Sequence, residues 1–123
     1  MAKKDIQQFL SEAMDRNAAL VLATGDKSAM LKKWAILDSV TINGMNQKRL
    51  REAILKTGEI LDEDETTGVI TAVIPTGSMN ASRALVVARV NLDTVEFAAF
   101  FKEGLIKQNG AKHAIEKIKA QLS

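Results

Sequence analysis

The chain has 123 residues, 46% of them hydrophobic, with 17 Lys or Arg against 15 Asp or Glu for a formal net charge of +2. It carries one histidine, His113, and neither cysteine nor tyrosine. Disulfides and thiolate metal sites are thereby excluded, and most acid-base or nucleophilic chemistry, which needs two or more reactive groups held together, is left without its usual parts.

These values fit one globular domain spanning 1–123, large enough to bury a core without covalent staples. No run approaches the roughly 18 apolar residues of a membrane-spanning helix. The Met-Ala-Lys-Lys start lacks the apolar stretch of a secretory signal, so the expectation is a cytoplasmic protein with no membrane partner.

In chain order, Ile6, Phe9, Leu10, Ala13 and Met14 fall on one helical stripe. Asp5 is its predicted N-cap, Gln8 completes a capping box and Asn17 is the predicted stop. Ala18 to Thr24 reads as a short buried strand ended by Gly25-Asp26. Lys33 to Ile42 alternates and is rich in β-branched residues, which predicts a strand. The rival is a helix capped by Asp26 and running to Asp38. Asn43-Gly44 marks a turn in either case.

A further helix is predicted over Gln47 to Thr57, with Asn46 as cap, Met45 stapled to Leu50, and Gly58 as a left-handed C-terminal cap. The acidic segment from Glu59 to Glu65, followed by Thr66-Thr67-Gly68, reads as a hairpin tip or loop. A strand from Val69 to Ile74 should stop at Pro75, which cannot donate to a ladder. After the loop Thr76 to Ser82, Arg83 to Asn91 reads as a central strand antiparallel to it. Asp93-Thr94-Val95-Glu96 repeats the capping-box spacing, so a helix carrying Phe97, Phe100, Phe101 and Leu105 is predicted, closed by Asn109-Gly110. A last helix buries Ala114, Ile115, Ile118 and Leu122. The sum is an α+β domain of about four helices around an antiparallel sheet of about four or five strands.

Charge is unevenly distributed. Lys27 to Lys56 holds seven basic residues against Asp38 and Glu52, a net +5, and is followed by the five carboxylates Glu59, Asp62, Glu63, Asp64 and Glu65. The helix carrying Lys48, Arg49 and Arg51, with Lys32 and Lys33 nearby, is the candidate nucleic-acid surface, since such side chains reach phosphates and base edges. Against it stand Glu52 on the same face and the lack of an aromatic stacking platform.

Thr76, Ser78 and Arg83 flank Gly77 in a small-polar loop that could turn toward an anion, although the Gly-Lys-Ser/Thr ending of a phosphate loop is missing. Asp62, Asp64 and Thr66 match the first alternate ligands of an EF-hand loop. The match then fails, with Thr67 at the glycine position and Val73 at the bidentate glutamate. No metal site and no cofactor is expected, and His113, beside Lys112 and Lys117, reads as a solvated side chain.

Three functions follow in order. The first is a non-catalytic interaction or assembly module, adaptor or regulatory, that binds a protein partner or a second copy of itself through the C-terminal helices, where Phe100, Phe101 and Leu105 are the candidate contacts, with Phe100 or Phe101 and Leu105 partly exposed. The second is a DNA- or RNA-binding protein using Lys48, Arg49 and Arg51. The third is a metal-assisted enzyme using carboxylates such as Asp62 and Asp64.

Overall fold

Ala84 to Arg89 form six consecutive buried residues in the middle of a strand, so both faces of that strand must be covered. The computed structural model describes residues 5–18, 27–76, 82–103 and 108–123. They form α1 (Ile6–Arg16), α2 (Lys27–Trp34), β1 (Ala35–Thr41), α3 (Gln47–Thr57), β2 (Glu59–Glu63), β3 (Ile70–Thr76), β4 (Ser82–Asn91), β5 (Thr94–Phe100) and α4 (Gly110–Leu122). The sheet is antiparallel throughout, in the order β1-β5-β4-β3-β2. This is the expected α+β domain, with five strands and four helices among the described residues.

Alternation along the central strands feeds two cores. Ile70, Ala72 and Ile74 of β3, Ala84, Val86 and Ala88 of β4, and Val95, Phe97 and Ala99 of β5 pack under α3 and α4. Val73, Leu85, Val87, Ala98 and Phe100 face the other way, under Leu10, Ala13 and Met14 of α1 and Met30 of α2. The N-terminal caps read from the sequence for α1 and α3 are present. Asp5 and Gln8 exchange the two bonds of a capping box at 2.9 Å each, and Asn46 accepts from Arg49 N–H at 2.9 Å. Met45, just before that cap, shares a core with Leu50 as a hydrophobic staple requires.

Several expectations are corrected. The segment 27–42 contains both rival elements in series, a helix to Trp34 and then a strand. Pro75 lies inside β3, tolerated because it sits beyond Val73, the last residue β2 reaches, so its missing N–H faces no ladder partner. Part of the acidic segment is the edge strand β2, and only its end is a turn. Gly58 has φ −169, ordinary extended backbone. Its missing side chain matters because a Cβ there would meet the Val73 carbonyl oxygen at 2.3 Å. The strand expected over 18–24 falls almost wholly outside the described residues.

The largest correction falls on the helix expected from Asp93 to Asn109, of which residues 104–107 lie outside the described residues. Instead of capping a helix, Leu92 and Asp93 are the two-residue turn of the β4–β5 hairpin, with Asn91 opposite Thr94. Thr94, Val95 and Phe97 enter the sheet because β4 requires a buried partner on that side. Gly110 opens α4 and does not close a preceding helix, and it lies against Phe101, whose ring a Cβ would meet at 2.3 Å. Glu103 caps the entry to α4, one carboxylate oxygen accepting from the N–H groups of Gln108 and Asn109 at 2.6 and 2.7 Å.

Leu92 holds φ +57, with its neighbour Asp93 on the negative side, the pattern of a turn that favours glycine at its first central position. Its side chain is 89% exposed, so little burial offsets that strain. Leu92→Gly is expected to raise stability by about 1 kcal/mol, read as an increased midpoint in thermal or urea unfolding.

Candidate interaction surface

The two edges of the sheet differ. β2 is short, carries Glu59, Asp62 and Glu63 among its five residues, and shifts register between Ile60 and Asp62. Charge, brevity and a bulge are the devices that stop an edge from pairing. β1 has none of them over seven residues in unbroken register with β5, apart from Asp38. Ile36 and Leu37 are 39% and 54% exposed and point to opposite faces.

The outer backbone of β1 can be assigned. Ile42 N–H donates inward to Asp93 C=O at 2.8 Å. By the alternation of an antiparallel ladder, the even residues of β1 bond toward β5, and the N–H and C=O groups of Ala35, Leu37, Ser39 and Thr41 point outward. The Ser39 N–H is held by its neighbour's carboxylate, donating to Asp38 Oδ1 at 2.8 Å. The other oxygen, Asp38 Oδ2, takes Lys119 Nζ of α4 at 3.1 Å. On the α4 face of β1, Val40, Thr41, Ile42, Lys119 and Ala120 border a shallow groove of about 500 Å³. On the opposite face, Trp34 packs edge-on against Phe100 with ring centroids 6.3 Å apart, and Lys33 Nζ sits 4.9 Å from the Trp34 centroid.

A second concavity, of about 860 Å³, lies between α1 and the β2–β3 end of the sheet. The β2 register shift puts both Leu61 and Asp62 on the α1 side, Leu61 against that core and Asp62 on the groove wall. Its two arginines are each paired with a carboxylate. Arg16 lies 3.6 Å from Asp62, and the nearly buried Arg89 gives its Nε to Glu96 Oε1 at 2.7 Å while its guanidinium sits 5.5 Å from the Phe9 centroid. Asp64 Oδ1 accepts from the N–H groups of Thr66 and Thr67 at 2.8 and 3.2 Å, fixing the β2–β3 turn. Thr71 on the floor is fully buried, and its hydroxyl has no hydrogen-bond partner.

The residues singled out in sequence are scattered. Arg51 binds Glu63 bidentately, Nε to Oε1 at 2.8 Å and Nη2 to Oε2 at 2.6 Å, and Gln47 donates to the same carboxylate at 3.1 Å. Arg49 Nη2 donates to the Leu122 carbonyl at 3.2 Å, at the negative end of α4. Lys48 lies 4.0 Å from Glu52, while Lys32 and Lys33 are exposed on α2. Thr76 is buried with its hydroxyl donating to Gly110 C=O at 3.3 Å. Arg83 is exposed, and Ser78 lies outside the described residues.

Phe100 and Phe101 are 1% and 5% exposed. The expected C-terminal helix face is therefore corrected: Phe100 ends β5 in the α1 core, Phe101 follows it under α4, and Leu105 lies outside the described residues. His113 is exposed on α4. Among the described residues, no three His, Asp or Glu side chains gather to hold a metal ion, and no helix is long and apolar enough to cross a membrane.

Sequence reasoning missed Ile36 and Leu37 as surface residues, because adjacent apolar side chains in a strand read as buried on both faces. It also missed the groove residues Arg89 and Thr71, which sit as polar exceptions on otherwise apolar central strands. Compared with known proteins, the chain matches no family model, no curated protein and no solved structure.

Hydrogen bonding from Arg51 holds the Glu63 carboxyl down to about 2, against an ordinary value of 4.5. A carboxyl depressed by folding contributes stability above its unfolded value and loses that contribution as pH falls through the folded one. Wild-type stability should thus decline between about pH 4.5 and about pH 2 by more than that of Glu63→Gln, compared by urea unfolding across that window. Thr71→Val removes an unsatisfied buried hydroxyl at constant shape, and is expected to stabilise the fold by about 1 kcal/mol in the same assay.

Proposed function

We propose that this protein works by contact, as a non-catalytic interaction module that receives an extended strand along the outer edge of β1. The observation that carries this reading is the pairing of exposed Ile36 and Leu37 with outward N–H and C=O groups on a regular seven-residue edge. Strand addition uses these two features, main-chain hydrogen bonds for affinity and alternate side chains for selectivity. The bulged, carboxylate-bearing β2 edge supports the same reading, since among the described residues it leaves β1 as the competent edge. So do the internal partners of Arg49 and Arg51, which leave the basic helix fewer cations to offer a phosphate backbone. We place the module in the cytoplasm, where a chain without cysteines needs no oxidising compartment.

Proline at an outward-facing edge position removes a donor without touching the ladder. A fluorescent peptide copying residues 34–42 is expected to bind the wild-type chain saturably in anisotropy titrations. Leu37→Pro should weaken that binding at least tenfold while leaving the melting temperature within a few degrees, because the Leu37 N–H does not bond β5. Equal binding by the wild type and Leu37→Pro would remove the β1 edge as the contact surface.

A further inference from the structure

Resting on the β1-edge reading, we infer that the strand added to β1 is β1 of a second copy, antiparallel across a two-fold axis at Leu37, so that two five-stranded sheets become one. Three features of this edge are complementary to themselves.

The first is the backbone. A two-fold axis normal to the sheet keeps each face on its own side, so residues facing one another across the axis must both be odd or both be even. The outward groups all belong to odd residues. With the axis at Leu37, Leu37 meets Leu37 of the second copy, Ala35 meets Ser39, and Ser39 meets Ala35. Each is an outward-facing residue, and the three pairs exchange six N–H···O=C bonds. Ser39 N–H transfers from Asp38 Oδ1 to the new carbonyl, while Asp38 keeps Lys119 on its other oxygen.

The second is charge. Moving the axis one residue, to Asp38, would pair all seven residues but set two carboxylates directly opposite at a non-hydrogen-bonded position, where side chains come closest and like charges destabilise. The Leu37 axis offsets the two Asp38 side chains by two residues each way. It also brings the Lys32-Lys33 end of one copy toward the Thr41 end of the other, where Asp93 of the neighbouring hairpin stands. A parallel pairing would align lysine with lysine and Asp38 with Asp38.

The third is apolar surface. The axis buries Leu37, the more exposed of the two large apolar side chains that β1 leaves exposed, against its own image. One strand pair buries a small area, so the dimer belongs to the weak class, with a dissociation constant on the order of micromolar to hundreds of micromolar.

The chain has no native cysteine, so a single introduced thiol reports unambiguously. In the proposed register the two Leu37 Cα atoms lie about 5.5 Å apart. The two Thr41 positions lie roughly 27 Å apart along the strands, eight residues at about 3.4 Å each. Sedimentation equilibrium from about 1 µM to about 1 mM should show a monomer–dimer equilibrium that Leu37→Pro and Leu37→Lys both abolish. A short bis-maleimide of about 8 Å should link Leu37→Cys into a dimer and leave Thr41→Cys unlinked. Leu37→Lys keeps the backbone donor and therefore serves even where the proline variant folds poorly.

A wild-type chain that remains monomeric at about 1 mM overturns the second copy as occupant. If the peptide titration is still positive and lost in Leu37→Pro, strand addition stands and the partner is a different protein. A dimer unaffected by both Leu37 variants, or linked equally through Thr41→Cys, overturns the β1 interface and its register.

Discussion

The structure depends on β4 being buried on both sides. Ala84, Val86 and Ala88 demand one apolar layer and Leu85 and Val87 another, so neither pair of helices alone could complete the fold. α3 and α4 supply the first layer through Leu50, Ile54, Ile115 and Ile118, and α1 and α2 supply the second through Leu10, Met14 and Met30. The small residues Ala84 and Ala88 of β4, and Ala98 and Ala99 of β5, leave room for the larger side chains above them, among them Phe97 and Phe100, both essentially solvent-free. Cover centred on β3, β4 and β5 thins toward the outer strands. The exposure of β1 thus follows from where it stands in the sheet.

Much of this plan is written locally. Asp5 with Gln8, and Asn46 with Met45 and Leu50, are short-range signals whose bonds close within one turn, so they read correctly without tertiary knowledge. Asp93-Thr94-Val95-Glu96 misleads for the same reason. It fits a capping box and also opens a strand, and Phe97, Phe100 and Phe101 satisfy helical spacing while Val95, Phe97 and Ala99 satisfy alternation. The decision comes from β4, which needs a strand beside it, and from a hairpin turn lacking the glycine that would have announced it. Segment 27–42 divides at Trp34, whose ring closes over Phe100. That contact spans 66 positions, and no local pattern could reveal it.

The candidate surface was less legible than the fold, for a related reason. Composition located the positive charge but not its partners. Arg51 is taken by Glu63, within the segment from Glu59 to Glu65 that reads as a hairpin tip or loop, and Arg49 by the Leu122 carbonyl at the end of α4, 73 residues away. Such pairs tie α3 to β2 and to α4, so the basic helix and the acidic segment are halves of one packing arrangement. Ile36 and Leu37 gave no signal of exposure, since whether an apolar strand residue is buried depends on where its strand stands in the sheet. A one-residue difference of face is invisible until the neighbours are in place.

The asymmetry between the two edges carries the functional argument. If β1 were only the last strand of a monomer, it would be expected to resemble β2, with its register shift and three carboxylates. Instead its guard is one residue, Asp38, which ties up a single outward N–H and is itself steadied by Lys119. A lone carboxylate two residues from Ile36 and one from Leu37 restricts pairing without preventing it. It forbids the register that would bring it against its own image and leaves the neighbouring one open. The same side chain that discourages indiscriminate edge association can therefore select a particular alignment, as a single polar residue does at a coiled-coil seam.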